Sequence, residues 1–283
     1  LHIMKLLRIG DKGKEKPALL DKNNKIRDIS SHIKDFNPDF LNFKTLSKLK
    51  NLDLTKLSEI PNSVRIGACI NKPGKFVAIG LNYSDHAKET GAKVPAEPIV
   101  FMKATSSICG PNDDIVKAKD SKKLDWEVEL AFVVGKDSKN ISEKEASNHI
   151  LGYCIVNDIS EREWQIEKMG QWVKGKSGDT FGPIGPYLVT KDEILDINNL
   201  SLTLDINEKR MQEGNTKNMI FNTNFLLSYL SKFMSLQPGD IVTTGTPAGV
   251  GMGMKPPVFL KPGDKIKLSI DSLGEQNSKV ITE

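Results

Sequence analysis

The stretch Asp125-Trp126-Glu127-Val128-Glu129-Leu130-Ala131-Phe132-Val133-Val134 decides how the chain folds and where its chemistry lies. Trp126, Val128, Leu130, Phe132 and Val134 alternate with Glu127, Glu129, Ala131 and Val133, the period of two of a β-strand. Both glutamates therefore project from one side. Side chains at i and i+2 stand about 6.5–7 Å apart. At an effective dielectric near 20, two carboxylates so placed repel by roughly 2.5 kcal/mol. Open water would screen this, but Ala131 and Val133 continue the same side and point it into an interior. A half-buried glutamate pair then needs a cation, or a raised pKa on one member. A second apolar run, Gly152-Tyr153-Cys154-Ile155-Val156-Asn157, ends in Asp158. Glu127, Glu129 and Asp158 form an all-oxygen set suited to a hard cation, Mg2+ or Mn2+ before Zn2+. On spacing alone, a solvated strand edge with chance acids accounts for the same residues.

Composition narrows the class. No run of about 18 apolar residues is present, so no membrane span is expected. The first residues lack the apolar core and small-residue cleavage site of a secretory signal. Leu1-His2-Ile3 ahead of Met4 read as a cloning scar, with Met4 the expected native start. Cys69, Cys109 and Cys154 are scattered, without CxxC spacing, which points to a reducing, cytoplasmic setting and away from a zinc knuckle or a disulfide frame. Net charge is only +4, and arginine occurs at just five positions. No basic block with interleaved aromatics exists, so nucleic acid is not the expected partner.

Along the chain, Lys5–Gly10, Ala18–Leu20 and Lys25–Ile29 read as short strands, with hairpin chemistry in Asp21-Lys22-Asn23-Asn24. Asn37-Pro38 is expected to cap and open a helix through Phe40, Phe43, Leu46 and Leu49. Residues 4–72 are taken as a small N-terminal α/β domain, and 73–283 as the main domain. Lys75–Leu81 is a strand that delivers Asn82-Tyr83-Ser84-Asp85-His86-Ala87-Lys88-Glu89-Thr90-Gly91. Ser84 or Asp85 can cap a short helix there. His86 and Glu89 share a face of it, as a catalytic pair or as an exposed helical ion pair. Pro98–Lys103 reads as another strand. Ser142-Glu143-Lys144-Glu145 is a capping box opening a helix with Ala146 and Ile150 inward.

Ile159–Gln165 reads as a short helix, and Gly170–Gly185 as a long loop carrying Trp172, Lys174, Lys176 and Asp179. Arg162 could pair with Glu161 or Glu163, or face a substrate. Asn222 or Thr223 caps a helix whose stripe Phe225, Leu226, Tyr229, Leu230 and Phe233 is expected in the core. Two Pro-Gly-Asp turns, at 238–240 and 262–264, each feed a strand and argue for an antiparallel or mixed β-roll. Between them, Thr244-Gly245-Thr246-Pro247-Ala248-Gly249-Val250-Gly251-Met252-Gly253 matches neither a Rossmann fingerprint nor a P-loop. It is an anion-cradling loop or a plain tight turn.

Taken together, Gly80-Leu81-Asn82-Tyr83 with His86 and Glu89, Trp126-Glu127-x-Glu129-Leu130, Asn157-Asp158-Ile159-Ser160-x-Arg162, Lys176, and Thr244-Gly245-Thr246-Pro247-x-Gly249-Val250-Gly251 resemble the fumarylacetoacetate hydrolase family. The match runs in motif order over residues 75–283. The stretches 161–165 and 182–186 are most similar to a branch labelled ureidoglycolate lyase or 2,4-diketo-3-deoxy-L-fuconate hydrolase. The resemblance implies an α+β, mostly β fold, a mixed β-roll with the small N-terminal domain, assembled as a homodimer. It implies Mg2+ or Mn2+ held by Glu127, Glu129 and Asp158. It puts His86 and Glu89 on a mobile lid helix as the catalytic pair, and Lys176 at the metal's edge. Tyr83, Arg162, Gln165 and Thr246 would position substrate oxygens. The implied reaction is metal-dependent C–C hydrolysis of a 2,4-dioxo acid, an acylpyruvate or a 2,4-diketo-3-deoxy sugar acid, to pyruvate and a carboxylic acid. Oxaloacetate decarboxylation, enol–keto isomerisation and ureidoglycolate cleavage use the same parts. A non-catalytic metal-stabilised dimer is the alternative of another kind.

Overall fold

Val128–Val134 is a strand with every residue buried, at the centre of the computed structural model, which describes residues 4–283. The reading of residues 1–3 lies outside the described residues. The strand runs antiparallel to Ile150–Asn157, with Val128 opposite Asn157 and a bulge near Val134. Ile241–Thr243 flanks its other edge. These three are the middle of an 11-stranded mixed sheet. Beyond Ile241–Thr243 the sheet continues through Phe76–Gly80, a parallel neighbour, to an edge strand, Ile99–Met102. On the other side it passes through Leu188–Thr190 to the N-terminal hairpins Lys5–Ile9, Lys16–Leu20 and Ile26–Asp28. A second, five-stranded sheet holds Ser201–Ile206, Lys265–Ile270 and Gly274–Thr282 among its strands. The mixed β-roll expected from the two Pro-Gly-Asp turns is this pair of sheets.

The period-two pattern sorts the core into two faces. Val128, Leu130, Phe132 and Val134 pack with Leu202, Leu204, Leu268 and Ile270 of the second sheet. Ala131 and Val133, on the opposite face, pack with Leu6, Ile29, Phe36, Leu41 and Leu46. The N-terminal segment thus shares both a sheet and a core with the rest of the chain. It covers the face from which Glu127 and Glu129 project. That face is apolar along most of its length and acidic at one end, so burial and charge meet there.

Several local readings need correction. Asn37 opens no helix; its Oδ1 accepts from the Asp39 N–H at 3.0 Å and closes a turn. The helix is Phe43–Lys50, capped by Asn42, whose side chain accepts from the Thr45 N–H. Asx-turn chemistry competed with capping and prevailed. The Ser142 capping box is present, but its helix ends at Ala146, and Ile150 begins a strand instead. The 170–185 stretch is no plain loop, for it holds the helix Val173–Lys176. In the helix Thr223–Phe233, capped by Asn222, Leu226, Leu227 and Leu230 are buried. Phe233 is 66% exposed, and Phe225 stacks on Phe221 and Tyr229 with centroids 5.1 and 6.1 Å apart, while Tyr229 and Phe233 meet at a tilt at 4.9 Å. The i, i+4 spacing describes two stripes, a buried leucine stripe and a more exposed aromatic one. Among the described residues, no helix is long and apolar enough to cross a membrane.

A buried carboxylate cluster and candidate active site

Strand register brings the three predicted carboxylates together. Pairing Val128 with Asn157 sets Glu127 beside Asp158, whose N–H donates to the Glu127 carbonyl at 3.0 Å. One oxygen from each of Glu127, Glu129 and Asp158 lies within 4.8 Å of the others, and all three residues are buried. Cations surround two of them. Lys103 Nζ donates to Asp158 Oδ1 at 2.5 Å and to the Ile159 carbonyl at 3.3 Å. Lys176 Nζ donates to Asp158 Oδ2 at 2.8 Å and to Glu127 Oε2 at 3.1 Å. Arg162 Nη2 lies 2.8 Å from Glu127 Oε1 without a well-aligned hydrogen bond there. Its Nε donates to Asp125 Oδ2 at 2.9 Å. Among the described residues, Glu129 has no cationic partner. It accepts only from the Thr243 hydroxyl and, at 3.1 Å, from the Gly245 N–H.

The electrostatics follow from that asymmetry. Burial would push Glu127 up, but Lys176 and Arg162 beside it override this and hold it well below the usual carboxylate range. Burial pushes Glu129 well up, and the negative charges of Asp158 and Glu127 add to the shift. Burial lowers Lys103 despite its pairing with Asp158. Burial also opposes charge on Lys176, yet Asp158 and Glu127 more than compensate and raise it.

These residues fit a hard dication. Four buried carboxylates (Asp125, Glu127, Glu129 and Asp158) face three cations, Lys103, Lys176 and Arg162. The uncompensated one is Glu129, which points into the cluster. Oxygen-only donors on two strands are the ligands that Mg2+ and Mn2+ take. With a dication added, the ionised cluster would carry one net positive charge, suited to an organic monoanion.

The His–Glu pair opens onto the same space. His86 and Glu89 lie on the helix Ser84–Thr90, which Gly91 ends in a left-handed conformation. Neither Ser84 nor Asp85 caps it: Tyr83 is the N-cap without a side-chain bond, and Asp85 Oδ1 accepts from the His86 N–H at 2.9 Å. His86 Nδ1 lies 2.9 Å from Glu89 Oε2, and Glu89 Oε1 accepts from the Gly249 N–H at 2.8 Å. The His86 side chain is 10% exposed and that of Glu89 18%, so the pair is no solvated surface ion pair. The glycine-rich loop uses its N–H groups on internal anions. Besides Gly249 on Glu89, Gly251 and Met252 donate to the two oxygens of Asp125 at 2.7 and 2.9 Å.

Gly249 has no substitute at this point. Its φ is +104°, and an added Cβ would sit 1.9 Å from the Met211 carbonyl oxygen. The strained φ alone costs about 1–3 kcal/mol. Gly249→Ala is therefore expected to lower the thermal midpoint and, by moving the N–H that holds Glu89, to lower kcat. A variant equal to wild type in both would dissociate the loop from the pair.

A cavity of about 220 Å³ joins these groups, with His86, Glu127, Glu129, Arg162, Gln165, Lys176 and Thr246 in its lining. Gln165 accepts from Arg162 Nη1 at 3.0 Å through Oε1, which leaves its Nε2 free. Arg162 pairs with Asp125 and Glu127 and not with Glu161 or Glu163. The Thr246 hydroxyl is committed, donating to the Val128 carbonyl at 2.8 Å and accepting from Gln212 Nε2 at 2.8 Å. Tyr83 is fully buried, outside the cavity lining, with no hydrogen-bond partner on its hydroxyl.

Lys103, Asp125, Thr243 and Gln212 were not assigned roles from sequence. Lys103 and Asp125 lie in segments that read as strands, but only the fold pairs them with Asp158 and Arg162. Lys103 is the partner of Asp158 Oδ1, and replacing one member of a buried pair costs about 3–5 kcal/mol. Lys103→Met should lower the metal-free thermal midpoint. Added Mn2+ should raise it by more than in wild type, because the ion takes over neutralisation of Asp158. Equal metal-induced shifts in the two proteins would refute that role.

Carboxylates, lysines and an oriented imidazole on one small cavity are the layout of an enzyme site. The chain belongs to the fumarylacetoacetate hydrolase family, whose C-terminal domain matches residues 75–281. It is 56% identical over 274 residues to a Burkholderia ambifaria protein named only as a hydrolase, covering 96% of this chain and 97% of that one. Among solved structures, a fumarylacetoacetate hydrolase from Exiguobacterium antarcticum superposes with a TM-score of 0.87 at 33% identity, covering 99% of this chain and 100% of that one. A 2-hydroxyhepta-2,4-diene-1,7-dioate isomerase from Mycobacterium marinum gives 0.79 at 31%, covering 99% of both chains. A maleylpyruvate hydrolase from Sphingobium sp. SYK-6, in complex with manganese(II) and pyruvate, gives 0.82 at 27%, covering 99% of both.

Proposed function

We propose that the protein hydrolyses a C–C bond of a 2,4-dioxo acid, with Mg2+ or Mn2+ held by Glu127, Glu129 and Asp158. The observation that carries this reading is His86, paired with Glu89, on the same cavity as Glu127, Glu129 and Lys176. A structural ion site has no need of an oriented base. The reaction balances as R–CO–CH2–CO–COO⁻ plus water giving R–COO⁻, a proton and pyruvate. A bound dication would supply Lewis-acid polarisation of the 2-oxo acid oxygens. Lys176, fixed between two carboxylates, presents positive charge where enolate charge develops as the C3–C4 bond breaks. Glu89 holds His86 Nδ1–H, which leaves Nε2 to take a proton from water. That water oxygen bonds to C4, and the electron pair of the broken bond ends as the C3–H bond of pyruvate. Arg162 and the free Gln165 Nε2, both on buried residues, hold substrate oxygens.

The test is pyruvate release from 2,4-dioxo acids with Mn2+ and then with EDTA. Metal-dependent pyruvate supports the reading. Its absence, with metal-dependent loss of oxaloacetate or ureidoglycolate instead, would keep the site and overturn the reaction.

A further inference from the structure

Away from the carboxylates the cavity changes character. Leu81, Ile99, Phe101, Ile166, Trp172 and Met252 wall it. The change is abrupt: Lys176 Nζ, which touches Asp158 and Glu127, also lies 5.1 Å from the centroid of the Phe101 ring. Trp172 then packs edge-on against Phe101 at 5.2 Å. It can sit there because residue 80 has no side chain; a Cβ on Gly80 would stand 2.6 Å from Trp172 Cζ3. The path from Lys176 along Phe101 to Trp172 is short. The whole cavity, about 220 Å³, is below the roughly 300–1,000 Å³ typical of drug-sized ligand sites.

Charge points the same way. The cationic side chains in the lining are Arg162, Lys176 and, when protonated, His86. Arg162 is engaged by Asp125 and Glu127, Lys176 by Glu127 and Asp158, and His86 by Glu89. Among the described residues, no unpaired cation lines the apolar wall. A second carboxylate on the substrate would find no cationic partner on that wall and would cover apolar side chains with a charge, whereas a short alkyl group would gain by covering them.

We infer that the substrate's group beyond C4 is short and uncharged, and that Trp172 sets its length. This rests on the reading above only in taking the cavity as the 2-oxo acid site. It separates this chain from enzymes whose substrates carry a distal carboxylate.

Binding tests it without turnover. Calorimetry on the Mn2+-supplemented protein would compare 2-oxopentanoate with 2-oxoglutarate, which differ at the distal end as methyl and carboxylate. The monoanion 2-oxopentanoate should bind at least about 10-fold more tightly than the dianion. Equal or tighter 2-oxoglutarate binding, or no binding of either, would overturn the inference. Trp172→Ala should raise the affinity of 2-oxooctanoate relative to 2-oxopentanoate by about 10-fold; an unchanged ratio would remove Trp172 from the account. A retained preference for 2-oxopentanoate, with no pyruvate from any 2,4-dioxo acid, would sink the hydrolase reading and leave this one standing.

Discussion

Glu129→Gln is expected to weaken Mn2+ binding by at least about 100-fold, above the ~10–100-fold usual for losing an outer hydrogen-bond partner of a metal ligand. The substitution keeps shape and keeps an oxygen for the Thr243 hydroxyl and the Gly245 N–H. What it removes is the one carboxylate in the cluster without a cationic partner. Three cations would then face three carboxylates, and the cluster would be balanced without an ion. Activity should fall with metal content. The thermal midpoint of the metal-free protein should stay level or rise, since Glu129 no longer faces Asp158 and Glu127. Elemental analysis after dialysis decides the matter: wild-type metal content in the variant would sink the ligand assignment. A lowered midpoint would instead indicate a packing defect.

The second large effect belongs to His86. His86→Ala should lower hydrolysis by about 10²–10⁴-fold, the usual contribution of a general base, while metal content stays at the wild-type level. The imidazole reaches Glu89 through Nδ1 and makes no contact with the carboxylate cluster among its hydrogen bonds. Oxaloacetate decarboxylation needs no activated water, so any such activity should survive the substitution. Loss of metal from the variant would make His86 a ligand and void the mechanism. Hydrolysis at the wild-type rate would assign the base elsewhere.

What could be read from sequence was local. Alternation in residues 126–134 gave the strand, its two faces and the common side of Glu127 and Glu129. The i, i+3 spacing gave the His86–Glu89 contact. Capping chemistry placed Asn222 and the Ser142–Glu145 box. What escaped was set by distance along the chain. Lys103 meets Asp158 across 55 positions, Asp125 meets Arg162 across 37, and Thr243 meets Glu129 across 114. No periodicity encodes such pairs; they exist only once parallel and antiparallel neighbours are in register. Other errors came from competing local chemistries of equal plausibility. Asn37 could cap a helix or close a turn. The Phe225–Phe233 spacing could bury an aromatic stripe or stack it outside. In the glycine-rich segment, sequence leaves an anion cradle and a plain tight turn equally open, because the acceptors of its N–H groups, Glu89 and Asp125, lie more than 100 residues away.

That segment has a consequence for how the chain can vary. Surface loops usually absorb insertions and deletions. Here Gly249 anchors the residue that orients the imidazole, and Gly251 and Met252 anchor the one that orients Arg162. One added or lost residue between 249 and 252 would break the spacing between the anchor on Glu89 and the anchor on Asp125. Length in this segment is thus a shared dimension of two otherwise separate devices. In any set of natural variants, it should be among the stretches where residue types drift while the count does not.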